Sequence, residues 1–309
     1  VVTDAAVHIP APLKAGDYIG IAAPATHDEG QDISRAVARL TQAGYRVKMM
    51  PTVSGAYGVF SGTDEARARD INALFRDDDV KAIVCLNGGY GSARILDKLD
   101  YDYMASHPKW VVGFSDITAL QIALWEKSRL VTANGPLMVT LGGSNDYTAN
   151  QFFDGLKRES WRGALALPAG RKLTTITEGT AKGPIVGGNL TILASLVGTP
   201  YALDGTGCIL VLEDTGESSY RIDRMMNQLW QSGLLFRVSA IVYGDFTASS
   251  HDDGDFTTDE VLDYYAHLAR VPAIKGLPVG HTADKAFIPY GITVCLEANG
   301  TEASLSFQE

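Results

Sequence analysis

Ser115 has the neighbours a nucleophile needs. It lies in Gly113-Phe114-Ser115-Asp116-Ile117, between an apolar run, WVVGF (110–114), and a helical pattern, DITALQIALWEK (116–127). A serine at such a turn stands at the carboxyl end of its strand. There the next N–H, that of Asp116, can hold an oxyanion. Ile117 stands where a GxSxG elbow has its second glycine, and a serine that opens a helix also serves as its cap. These residues alone leave both roles open.

A nucleophilic serine needs a base, and the chain has six histidines. His8 is close to the first residues, His107 precedes Pro108, His251 sits in the acidic turn HDDGD, and His267 falls inside a helical pattern. His27 follows the first strand, at the sheet edge that carries Ser115. His281 lies in Val279-Gly280-His281-Thr282-Ala283-Asp284, where the glycine gives an imidazole room. For the orienting acid, Glu213 ends the apolar strand Gly207–Leu212, and Asp214 and Glu217 compete with it. The pleat turns Asp214 to the opposite face. Glu217 lies by a helix start near Tyr220, which explains a carboxylate without catalysis. A rigid strand end favours Glu213 as the residue that holds an imidazole in place.

Other motifs narrow the chemistry. Asn87-Gly88-Gly89-Tyr90-Gly91-Ser92 joins an apolar strand to a helical pattern, and its glycines let backbone N–H groups approach an anion. It lacks the third glycine of a dinucleotide fingerprint, and no GxxxxGK[ST] occurs, so no cofactor is expected. HDDGDFTTDE (251–260) lacks EF-hand spacing, and no histidine pair has metal-ligand spacing, so no metal is expected. Cys85, Cys208 and Cys295 each sit in an apolar run, which predicts three buried, reduced thiols and a reducing compartment. No signal-peptide pattern is visible, and with reduced thiols the expected compartment is the cytoplasm. A net charge of 26 − 36 = −10 opposes a nucleic-acid partner. No apolar run is long enough for a membrane span.

The elements that must position these residues fall into two halves of the 309-residue chain. Up to about residue 170, buried-type strands (GDYIGIAAP, YRVKMM, VKAIVCL, WVVGF) alternate with helical patterns at 33–44, from Thr63, at 92–99 and at 116–127. That alternation predicts a parallel sheet covered on both faces, with ligands at the strands' carboxyl ends. The stretch 142–180 reads as polar and irregular. From about 171 to 309 strands and turns dominate, with one helix at 221–230 striped by Ile222, Met225, Met226 and Leu229, and another opened by a capping box at Thr257.

Seven segments in order resemble the serine L,D-carboxypeptidases, or muramoyltetrapeptide carboxypeptidases: GDYIGIAAP (16–24), SGTDEARARDINALF (61–75), GGYGSARILDKLDYD (88–102), VGFSDITAL (112–120), GPIVGGNLTILASLVGTP (183–200), ILVLEDTGESSYRIDRMMNQL (209–229) and GLPVGH (276–281). The resemblance spans nearly the whole chain. It implies an α/β fold with a flavodoxin-like, class I glutamine amidotransferase-like first domain over 1–170. It also implies a smaller β-rich, swivelling β/β/α second domain over 171–309. The nucleophile would be Ser115, the acid Glu213 and the base His281, with oxyanion donors at Gly89 and Asp116. Family members release the terminal D-alanine of murein tetrapeptides in peptidoglycan recycling, act in the cytoplasm without a metal, and are often homodimers. The chain departs from the family at Asn87, where arginine is common, and at Asn134, where a histidine commonly precedes Gly-Pro. A branch that hydrolyses microcin-type peptidyl-nucleotides and confers self-immunity is the second enzyme reading. A two-domain small-molecule binding protein is the non-enzymatic one.

Overall fold

The structure, a computed structural model, describes residues 6–309. They form two compact units, residues 6–159 with Phe287–Pro289, and Ser160–Ala286 with Tyr290–Glu309. The chain thus divides at Ser160 rather than near 170, because Arg162–Ala164 pairs with Ser304–Gln308 of the second unit.

In the first unit, β1 (Tyr18–Ala22), β2 (Arg46–Met49), β3 (Val80–Cys85), β4 (Trp110–Gly113) and β5 (Thr132–Asn134) pair in parallel. The sheet runs in the order Ile288–Tyr290, β5, β4, β3, β1, β2. β3 and β4 are buried at every position but Lys81, as strands covered on both faces must be. The helix Asp64–Arg76 starts at Thr63, whose hydroxyl accepts from Ala66 N at 3.1 Å, and places Asp64 and Glu65 at its positive end. Helix Thr118–Ser128 is buried nearly all round, which fits a central position in the unit.

Two expectations change here. The segment Ser92–Lys98 is a 3₁₀-helix. The stretch expected to be irregular holds the helix Asp146–Lys157, capped by Asn145, which accepts from Thr148 N at 3.0 Å. Its buried face is Thr148, Phe152, Gly155 and Leu156. Only two of these are large and apolar, so the helical period is faint. Gly155 is there because the Phe287 ring lies against it: a Cβ would stand 2.4 Å from that ring.

The second unit carries β6 (Arg162–Ala164), β7 (Thr174–Thr177), β8 (Gly179–Asn189), β9 (Ile209–Thr215), β10 (Ala240–Thr247), β11 (Ala273–Lys275), β13 (Thr293–Ala298) and β14 (Ser304–Gln308), with Ile288–Tyr290 as β12 of the first sheet. Its order is β6-β14-β13-β8-β9-β10-β11-β7. The long β8 pairs antiparallel with β13 over Gly179–Pro184, then parallel with β9 from Ile185, ending with Asn189 opposite Glu213. Helix Ser219–Gln231 buries Ile222, Met226 and Leu229 and leaves Met225 half-exposed. Helix Thr258–Ala269 has the capping box expected between Thr257 and Glu260. Cys85 and Cys208 are buried as expected, but Cys295 is only half-buried, since alternation along β13 puts it on the outer face.

Candidate active site

Ser115 lies two residues past the end of β4, after Phe114, and has φ +62°, a left-handed backbone that L-residues rarely hold. The strand is pinned by the core, and the 3₁₀ turn Ser115–Ile117 leads straight into helix Thr118–Ser128, so this one residue takes the sharp reversal. Beside it lies the loop after β3. A Cβ on Gly88 would sit 3.2 Å from Ser115 Cβ, 3.4 Å from its Oγ and 3.6 Å from Asp116 N. Gly89 has φ +84°, and a Cβ there would meet Thr26 Oγ1 at 2.3 Å. Among the described residues no acceptor takes the N–H of Gly89 or that of Asp116. The Asp116 carboxylate turns away from solvent, accepting from Ser92 N at 2.9 Å; burial pushes its pKa up, against the pull of the Ser92 bonds.

Glu213 and His281 come together in the second unit. Glu213 Oε2 takes His281 Nδ1 at 3.3 Å; the carboxylate is 3% exposed and the imidazole 28%. Its Oε1 faces Asn189 Nδ2 at 3.4 Å. Room for the pair comes from Gly280 at φ +124°, where a Cβ would lie 3.1 Å from Glu213 Oε2. Burial raises the Glu213 pKa above the ordinary carboxylate value, and His281 opposes that rise. The buried Lys285 donates to the Thr282 carbonyl beside His281; burial lowers its pKa, and Glu213 works against that.

Asp214 does not face away. It is buried, takes Thr191 N at 2.9 Å and Thr191 Oγ1 at 2.6 Å, and shares Asn189 Nδ2 at 3.2 Å with Glu213. Alternation along β9 could not show this, because the register with β8 decides it. Glu217, just ahead of helix Ser219–Gln231, pairs with Arg221 in its first turn at 3.8 Å. His27 Nδ1 accepts from Glu29 N at 3.0 Å and closes a local turn. His107 stacks on Tyr103, and His267 Nδ1 meets Asp263 O. Asn87 braces the loop after β1, donating to His27 O at 2.9 Å, and its Oδ1 accepts from Gly88 N at 2.9 Å. Asn134 is buried in β5. Asn189 and Arg67, which donates to the carbonyls of both Pro24 and Gly91, escaped the sequence reading. Asn189 had a signal, an amide at a strand end before a helix, but only as a cap.

Residues 19–135 match the LD-carboxypeptidase N-terminal domain, and residues 182–296 match the LD-carboxypeptidase C-terminal domain. A "Probable murein peptide carboxypeptidase" of Bacillus subtilis is 33% identical over 96% of both chains. The chain belongs to the LD-carboxypeptidase family. It is a serine-type peptidase by that membership, as the serine elbow suggested. The muramoyltetrapeptide carboxypeptidase of Oxalobacter formigenes is 31% identical, with a TM-score of 0.83 over 94% of this chain and 99% of that one. The Microcin C7 self-immunity protein MccF of Escherichia coli is 27% identical over 96% of this chain and 95% of its own. The two-domain α/β architecture of the LD-carboxypeptidases is therefore also that of this chain.

Proposed function

We propose that this LD-carboxypeptidase releases the terminal D-alanine from murein tetrapeptides by a Ser115-Glu213-His281 triad and an acyl-enzyme. The observation that carries the reading is the division of parts. A strained serine beside two unclaimed N–H groups occurs in one unit, and a buried carboxylate bonded to an imidazole occurs in the other. Both sets belong to acyl transfer.

In this reading Ser115 Oγ attacks the carbonyl carbon of the L,D-peptide bond. Its proton passes to His281 Nε2, because Nδ1 is already turned to Glu213. Glu213 fixes the tautomer and stabilises the imidazolium. Its raised pKa reflects the cost of a dry site, and that dry site makes the ionised pair strong once the imidazole is charged. The oxyanion lies on the N–H groups of Gly89 and Asp116. His281 then protonates the departing D-alanine amine, and water cleaves the acyl-enzyme with the same residues. We place the activity in the cytoplasm and the enzyme in a homodimer, as the family resemblance suggests. None of the three cysteines is in a disulfide, which suits a reducing compartment.

A second reading, hydrolysis of a microcin-type peptidyl-nucleotide, is favoured by the likeness to MccF. One experiment separates the two: kcat/KM on murein tetrapeptide against a peptidyl-nucleotide. At least about a hundredfold preference for the tetrapeptide is expected, and the reverse preference overturns the murein reading.

A further inference from the structure

Gly89 and Asp116 lie on separate loops, after β3 and after β4. An oxyanion hole works only if its donors keep their spacing while charge develops. We propose that Arg67 is a positioning residue for these donors: with Asp116 it clamps the Gly91–Ser92 peptide at both ends, and so fixes the glycine loop against the serine elbow. The inference rests on the serine-peptidase reading, with Gly89 and Asp116 as donors.

Arg67 projects from helix Asp64–Arg76 and is completely buried. Its Nη1 donates to Gly91 O at 2.8 Å and to Pro24 O at 2.6 Å, its Nε to Gly62 O at 3.0 Å, and its Nη2 to Asp64. The carbonyl of Gly91 and the N–H of Ser92 are one peptide unit. The N–H end goes to Asp116 Oδ2 at 2.9 Å, and Ser92 Oγ adds a bond to Asp116 O at 2.6 Å. Cation, peptide and carboxylate thus form a buried row, polarised in one direction. The second hold runs through Pro24. Two residues on, Thr26 N donates to Gly88 O at 3.1 Å, and Thr26 Oγ1 accepts from Tyr90 N at 3.0 Å. Gly89 lies between those two bonded residues. One guanidinium therefore holds both the strap that grips the glycine loop and the far end of the loop itself.

A buried guanidinium is costly unless its donors are used, and here each nitrogen has an acceptor. An anchor for the helix alone would not need bonds to three loop carbonyls. Lysine cannot replace it, because a point ammonium cannot fork to separated acceptors.

The test uses the full chain with Arg67→Lys and Ser92→Ala. Steady-state kinetics on murein tetrapeptide are read beside inhibition by a peptide aldehyde, which forms a tetrahedral adduct with a nucleophilic serine, and by the tripeptide product. Arg67→Lys should lower kcat by about fiftyfold with KM changed by less than about threefold. Aldehyde affinity should fall in proportion to kcat, while product affinity stays constant. Ser92→Ala should show the same pattern at about fivefold, and it decides the question if Arg67→Lys does not fold. A fall in kcat without loss of aldehyde affinity would make Arg67 merely structural and overturn the proposal. So would unchanged kcat in the variants of an active wild type, with the functional reading left standing. A wild type inactive on tetrapeptide removes the functional reading, and this inference with it.

Discussion

At the scale of single residues, the proposed nucleophile is also a strained residue. Ser115 pays for its position with a left-handed backbone that glycine would hold freely. Ser115→Gly should therefore raise Tm by about 2–4 °C, from roughly 1 kcal/mol of relieved strain, while hydrolysis is lost. A lower Tm in thermal unfolding would contradict the strain. Ser115→Ala should keep the fold and lose several orders of magnitude in kcat, since triad members act as a unit; a tenth of wild-type turnover would remove Ser115 from the mechanism. Glu213→Gln should cost at least about a hundredfold in kcat. Its stability effect depends on pH. Burial raises the folded pKa of Glu213, so its contribution to stability is full below the unfolded carboxylate value and is lost as pH rises through the folded value. Glutamine does not titrate, so Tm of the variant relative to wild type should climb as pH rises from the ordinary glutamate value, about 4, through the raised folded value. A decline over that range in calorimetry would show that His281 outweighs burial. These residues were legible in the sequence by type and flank: a serine after an apolar strand, a glutamate at a strand end, a histidine beside glycine. Their partners were not. Asn189 meets Glu213 through the register of two parallel strands, and no local pattern encodes a register.

At the scale of elements, glycines mark where backbones must touch. Gly187, at φ +142°, lies so close to β9 that a Cβ would stand 2.0 Å from Val211 O. Gly187→Ala should cost at least about 2 kcal/mol in chemical denaturation, with β8 pushed from β9 and Asn189 drawn off Glu213. Stability within about 0.5 kcal/mol of wild type would mean that the strands separate freely. Glu217→Gln is the contrasting case: its pair with Arg221 is half-exposed, so kcat should stay within about twofold and stability within a few tenths of a kcal/mol. If Glu217→Gln instead lowers kcat as Glu213→Gln is expected to do, the acid has been misassigned. The parallel strands were legible because burial on both faces leaves uninterrupted apolar runs. Helix Asp146–Lys157 was not, because its buried face includes Thr148 and Gly155. Gly155 is a poor helix former, chosen for the ring of Phe287 more than a hundred residues later. A tertiary contact set that residue against the local preference.

At the scale of the whole molecule, no group of three or more His, Cys, Asp or Glu among the described residues is placed to hold a metal ion, and no described helix is long and apolar enough to cross a membrane. EDTA should leave kcat unchanged; loss of activity restored by zinc would replace the serine mechanism. The division into halves was legible from the change of composition, but the route of the chain was not. Residues Phe287–Pro289 return to the first unit, where Ile288–Tyr290 borders β5, Phe287 N donates to Gln151 Oε1 at 3.1 Å, and the Phe287 ring meets Trp110 edge-on at 5.4 Å. This has a consequence for birth on the ribosome. Synthesis is vectorial, so the first sheet is made early but is finished by a strand that emerges only after the second unit has been almost wholly translated. At about 5–20 residues per second, the edge of β5 stays open for on the order of ten seconds, a window in which unpaired strands invite wrong partners. The late strand is the latch of a domain begun long before it, and a premature stop anywhere ahead of Phe287 would leave both halves of the enzyme unfinished.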